Sequence, residues 1–293
     1  MRNTLVVSAL MLATLAAPVG AVKVVATISD LGYFAKEIGG SKAKVTVICP
    51  GTINPHFVET RPSHVKSTAE CDLFLEVGLA LDIWAAPLRR AANNPRMRVV
   101  SCSRGCRILE KPSGPVDPSQ GHLHPQGNPH LWLHPANAMI ICSNILAGYK
   151  ACMPSAGGYF TQRTRDLLGR IKQKSAVWKK KVASCKGEGY VSYHPSYEYL
   201  ADFLGLKKVA TVEPKPGVPP SSGRVQQVIR IVKARKVKAL MQEIYYAPGA
   251  AKSICKATGA KLLILPTLTG GAKGTATWFD MMDYNVSRIA RAL

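Results

Sequence analysis

Three histidines stand where the chain could present them to one metal ion. His56 closes the tripeptide Asn54-Pro55-His56, His130 closes a second one, Asn128-Pro129-His130, and His194 directly follows an aromatic and β-branched run at 190–193. Proline fixes its own φ and restricts the residue before it, so each Asn-Pro-His offers its imidazole from a stiff backbone. That suits a divalent ion such as Zn²⁺, whose bonds to imidazole nitrogen of ~2.0–2.1 Å tolerate little slack. Glu243, just past another apolar run, is a candidate fourth ligand, with an outer or surface glutamate as the alternative. His122 and His124 lie in a Pro- and Gly-rich stretch and read as a solvated loop that could touch metal transiently, while His64 and His134 read as structural. Three histidines with an open fourth position also describe catalytic zinc, with Glu243 as base. An exported zinc hydrolase is therefore the alternative reading, although no His-Glu-x-x-His or Gly-x-Ser-x-Gly accompanies it.

The elements that must position these residues alternate. Strands are expected over 23–28, 44–49, 72–77 and 97–101, with helices over 31–38, 62–70 and 81–93 between them. Residues 105–129 break the rhythm as a Pro- and Gly-rich loop, and a helix returns over 136–152. Over 156–186, Phe160, Leu167, Leu168, Ile171, Trp178, Val182 and Cys185 fall near one face at helical spacing. A continuous helix there would run ~46 Å. The rhythm then resumes, with strands over 190–193, 208–212, 237–241 and 261–265 and helices over 197–204, 223–235, 248–258 and 278–293. Strand and helix at this spacing predict an α/β fold: two lobes with mostly parallel sheets, joined by one long rigid helix. The expected organisation is a signal peptide over 1–21, an N-terminal lobe over 22–152, a linking helix over 153–186 and a C-terminal lobe over 187–293. Ligands of open parallel sheets bind beyond the strands' carboxyl ends, so the three histidines could converge in the cleft between lobes.

Composition narrows the setting. The 293 residues carry 39 Lys+Arg against 17 Asp+Glu, and 47% are hydrophobic, which excludes a disordered chain. Arg2, the apolar run over 5–15 and Val19-Gly20-Ala21 form a secretory signal, cleaved after about Ala21. No cysteine precedes Cys49, so no lipid-attachment cysteine follows that signal. An exported chain leaves nucleic acid without a place as partner, and the net charge of +22 reads mainly as a solvated basic surface. Nine of the basic residues fall on the long helix. Eight cysteines in an oxidising compartment allow disulfides, with Cys102–Cys106, Cys142–Cys152 and Cys185–Cys255 as candidate pairs.

The same segments resemble a known family. Asn54-Pro55-His56-Phe57-Val58-Glu59-Thr60-Arg61-Pro62-Ser63, Asn128-Pro129-His130-Leu131-Trp132-Leu133-His134-Pro135 and Tyr193-His194-Pro195-Ser196-Tyr197-Glu198-Tyr199-Leu200 are similar, in order and spacing, to motifs of the zinc/manganese-type solute receptors of bacterial ABC importers. The segment from Met281 to Leu293 resembles that family's C-terminal helix. The resemblance implies a periplasmic protein, expected to be monomeric, that binds a divalent metal in its interlobe cleft and delivers it to a permease in the inner membrane. It places His56, His130 and His194 as ligands, and a histidine at the third position is the zinc-type choice over Mn²⁺. Three departures stand out. Asn54 and Asn128 replace the family's Asp, His64 and His134 also replace Asp, and Leu265-Pro266-Thr267-Leu268-Thr269 lacks the carboxylate that often serves as fourth ligand.

Overall fold

A computed structural model describes residues 20–112, 125–213 and 217–293. Most of the expected signal, as well as His122 and His124, lies outside the described residues. The first half carries β1 (Val22–Ile28), α1 (Ser29–Gly39), β2 (Ala43–Cys49), α2 (Pro62–Ala69), β3 (Leu73–Glu76), α3 (Ala85–Ala92), β4 (Arg98–Ser101) and α4 (Pro135–Cys152). Next comes α5 (Gly157–Lys181). The second half carries β5 (Gly189–Ser192), α6 (Glu198–Leu204), β6 (Lys207–Thr211), α7 (Ser222–Ala234), β7 (Ala239–Glu243), α8 (Gly249–Thr258), β8 (Lys261–Leu265) and α9 (Trp278–Ala292).

The strands form two four-stranded sheets, ordered β2-β1-β3-β4 and β6-β5-β7-β8, and every pairing is parallel. In each sheet the first strand of the set sits inside, flanked by the second and third. Both sheets therefore open at corresponding carboxyl ends, where loops carry function in such folds.

Apolar residues on both faces explain why each sheet is covered twice. In the first sheet, Val24 and Ala26 join the large central core, while Val25 and Phe74 face a smaller cluster with Leu88 of α3. In the second, Tyr190 and Met241 face the central core, while Val191 and Leu240 pack with Val228 of α7 and Ile254 of α8. The central core is continuous across both halves. Trp178 of α5 meets Trp278 of α9 at 5.6 Å between ring centroids, and Trp278 meets Phe34 of α1 at 5.5 Å.

The linking helix ends at Lys181, where a short 3-10 turn over Ala183–Cys185 follows, so it runs ~37 Å and is shorter than expected. Its basic residues are more than a solvated face. Arg170 pairs with Glu37 of α1 at 2.5 Å, and Lys174 pairs with Asp283 of α9 at 2.6 Å. Asp283 also accepts the Trp178 indole N–H at 2.7 Å, so the helix is tied to both halves.

The expected disulfides are corrected: all eight cysteines are free thiols. Cys142 and Cys152 lie in the unbroken α4, ten residues apart along the chain. That is ~15 Å along the axis, against a bridgeable Cα separation of at most ~7 Å. Cys185 belongs to the central core, whereas Cys255 packs on the opposite face of the second sheet. The Cys106 thiol donates to backbone carbonyls, Cys102 O at 3.8 Å and Asn137 O at 3.9 Å, rather than bonding the Cys102 sulfur.

Candidate metal centre

His56 sits in the loop after β2, held there by two close approaches. The Trp84 indole N–H donates to Pro55 O at 2.9 Å. Gly51 passes so near the second half that a Cβ would stand 2.2 Å from Thr269 O, so only glycine fits. The Asn54 side-chain oxygen accepts the His56 backbone N–H at 3.0 Å. Asn128 Oδ1 accepts the His130 N–H at the same 3.0 Å. The two Asn-Pro-His segments thus form the same side-chain-locked turn, which adds to the stiffness proline supplies. His194 follows β5 by one residue, and Tyr193 N–H bonds Met241 O of β7 at 2.8 Å.

The three imidazoles meet. Ring centroids are 5.2 Å apart for His56–His130, 5.2 Å for His56–His194 and 5.4 Å for His130–His194. Their relative exposures are 8%, 0% and 1%, so all three are withdrawn from solvent. One nitrogen from each lies within 4.8 Å of the other two. His56 Nε2 and His130 Nε2 are 3.2 Å apart. Two imidazoles on one tetrahedral Zn²⁺ would hold their nitrogens at ~3.3 Å. The rear nitrogens are engaged: His130 Nδ1 lies 2.9 Å from Asn128 Oδ1, and His194 Nδ1 lies 2.6 Å from Glu213 Oε2. His194 Nε2 is buried with no hydrogen-bond partner among the described residues.

Glu243 is the last residue of β7, not a residue past it. Both its oxygens are buried without a hydrogen-bond partner among the described residues. Burial pushes its carboxyl well above the usual carboxylate range, and the neighbouring Ser196 hydroxyl, too poorly aligned for a full hydrogen bond, offsets only part of that. Ser196 Oγ itself lies 3.4 Å from His130 Nε2, and among the described residues the group that could hold a metal ion is the three histidines, without Glu243. An unpartnered buried carboxyl is costly unless a charge or donor reaches it.

The halves meet around this cluster. The Trp132 indole N–H donates to Thr267 O at 2.7 Å, and Trp278 N–H donates to Trp132 O at 3.1 Å. Asp30, at the start of α1, accepts both the backbone N–H and the hydroxyl of Thr269 at 3.0 Å. Burial raises the Asp30 carboxyl from 3.8 to about 7, against the lowering effect of the Thr269 hydrogen bonds.

The family model of the zinc-uptake complex component A, periplasmic (ZnuA), matches residues 24–292. The chain belongs to that family. It is 22% identical over 277 residues to the high-affinity zinc uptake system protein ZnuA of Bacillus subtilis, covering 92% of this chain and 87% of that one. The zinc-binding lipoprotein AdcA of Streptococcus pneumoniae is 21% identical over 92% of this chain, which spans only 55% of that relative's length. Among solved structures, a crystal structure of ZnuA superposes with a TM-score of 0.80 at 20% identity, over 93% of this chain and 99% of that one. A Mn-bound periplasmic metal-binding protein from Candidatus Liberibacter asiaticus reaches 0.77 at 18%, over 92% and 98%. The ZnuA fold is therefore present, and the relatives give the hydrolase alternative no support.

Of the other histidines, His134 caps α4, accepting the Ala136 N–H on Nδ1 at 3.1 Å, and His64 Nδ1 accepts the Arg61 N–H at 3.2 Å. Both are structural, as expected. Sequence reasoning missed Asn128, Ser196 and Glu213. Glu213 carried a usable signal, since it follows β6 at the same edge as His194 follows β5.

Proposed function

We propose that this ZnuA-family chain captures a divalent metal ion, zinc first, with His56, His130 and His194 as ligands and the fourth position filled by water or by Glu243. It then hands the ion to an ABC importer permease in the inner membrane. In this reading the leader ends at about Ala21 and the mature protein is a periplasmic monomer. The observation that carries the reading is the trio of buried imidazoles, each with a nitrogen within 4.8 Å of the other two and one pair of nitrogens 3.2 Å apart. Three nitrogens and one oxygen suit Zn²⁺ better than the oxygen-preferring Mn²⁺. The protein would act by binding rather than by bond-making, and ligation needs unprotonated nitrogens, so affinity falls as pH drops.

Calorimetric titration of the mature protein with zinc tests this. One tight site is expected, lost in the His56→Ala, His130→Ala, His194→Ala triple variant, and weakened in Glu243→Gln where that carboxyl rather than water fills the fourth position. Unchanged affinity in a folded triple variant would sink the assignment.

A further inference from the structure

Glu213 lies behind His194 and is nearly as buried as the histidine itself, with 2% side-chain exposure. Its position is set from three directions. Its backbone N–H donates to Tyr193 O at 2.8 Å, next to His194. Its Oε1 accepts the Gly217 backbone N–H at 2.8 Å, and its Oε2 lies 2.6 Å from His194 Nδ1.

We infer that Glu213 is the positioning residue of the second-half ligand, holding His194 in the tautomer that leaves Nε2 bare toward the other two imidazoles. A carboxylate only accepts, so the hydrogen between the two groups sits on Nδ1. In the neutral ring Nε2 is then the lone pair, and it is the buried nitrogen that has no partner among the described residues. A carboxylate behind a ligating imidazole fixes ring orientation and raises ligand basicity. It also brings a negative charge to the site that the amides of Asn54 and Asn128 do not carry. The inference rests on the metal reading above, and the experiment separates the two.

Glu213→Gln is the informative variant because its one oxygen would face two donors. Gly217 N–H cannot move its hydrogen, whereas imidazole can. The low-energy arrangement gives the oxygen to Gly217 and turns the amide NH₂ to His194 Nδ1, which shifts the hydrogen to Nε2. Long-range ¹⁵N–¹H spectra of the metal-free protein read the tautomer directly, and competition titration with Zn²⁺ reads affinity. The expected results are Nδ1–H for His194 in the parent, Nε2–H in Glu213→Gln, and zinc affinity lower by ~10–100-fold. Glu213→Asp, still an acceptor, should keep the parent tautomer and recover part of the affinity. A carboxylate that served folding alone would change the melting temperature and not the tautomer. Parent tautomer and parent zinc affinity in Glu213→Gln, with affinity lost in His194→Ala, would overturn the role of Glu213. Parent zinc affinity in His194→Ala would instead overturn the metal reading on which it rests.

Discussion

The two halves share one strand order yet build different half-sites. The first supplies two imidazoles from matching Asn-Pro-His turns, with an amide behind His130. The second supplies one imidazole directly off a strand, with a carboxylate behind it and another buried carboxyl nearby. The first half-site is built of neutral groups and stiffened by proline. The second carries the groups that can balance a dipositive ion, and its stiffness comes from the sheet edge. The same topology thus yields two stiff turns at one half-site and a carboxylate-backed imidazole at the other.

Matched truncations expose this difference most strongly. His130→Ala and His194→Ala should each weaken zinc binding beyond the ~100-fold expected of residues acting from behind a ligand. Stability should separate them. Removing His194 leaves the buried Glu213 oxygen without its donor, which costs ~1–3 kcal/mol, more for a charged group. Removing the His130 ring leaves Asn128 Oδ1 still accepting the residue-130 backbone N–H. Thermal unfolding of the metal-free variants should show the larger drop for His194→Ala, and equal drops would break the contrast between halves.

Much of this contrast is legible in the order of the amino acids. Parallel βα units bury both strand faces and one helix face, so apolar runs and helical periodicity locate every strand and major helix to within a few residues. The strand-end rule places His194, and the proline-locked turns point to His56 and His130. Glu213 is harder, because its partner depends on β6 lying beside β5, which no local pattern encodes. The cysteines mislead for a similar reason. Whether Cys185 and Cys255 share a face depends on which side of the second sheet each helix takes. Glu243 lies within β7 and not past it, since the strand runs two residues beyond its expected end.

The seam offers a second, smaller contrast, through pH. Asp30 belongs to the first half and is held by Thr269 of the second. Its carboxyl, raised by burial from 3.8 to about 7, binds its proton more tightly folded than unfolded. Between those values the folded chain holds more protons, so this group's contribution is complete below about pH 4 and is lost as pH rises through about 7. Asp30→Asn removes that titration. The stability difference between parent and variant should therefore drift with pH across the window, by at most ~4 kcal/mol, and be flat outside it. Denaturant unfolding over a pH series checks this, and parallel curves for the two proteins would show that the seam is not where the proton sits.

The smallest expected effect tests why an amide stands behind His130. Asn128 Nδ2 donates to Pro195 O at 2.6 Å and to Glu110 Oε2 at 2.9 Å, while Oδ1 serves His130. An amide, unlike a carboxylate, can accept from His130 and donate across the seam at once. Asn128→Asp would keep the His130 contacts and lose both donations, setting a carboxylate against a carbonyl and against Glu110. The variant should lose ~1–3 kcal/mol of stability, seen as a lower melting temperature. Its zinc affinity, measured where it is fully folded, should hold or improve, because a charge now stands behind His130 as Glu213 stands behind His194. Glu213→Gln should do the reverse, weakening zinc with little change in melting. If Asn128→Asp weakens zinc while leaving stability intact, the first half-site is tuned for the ion rather than for the seam, and the division of labour between the halves fails.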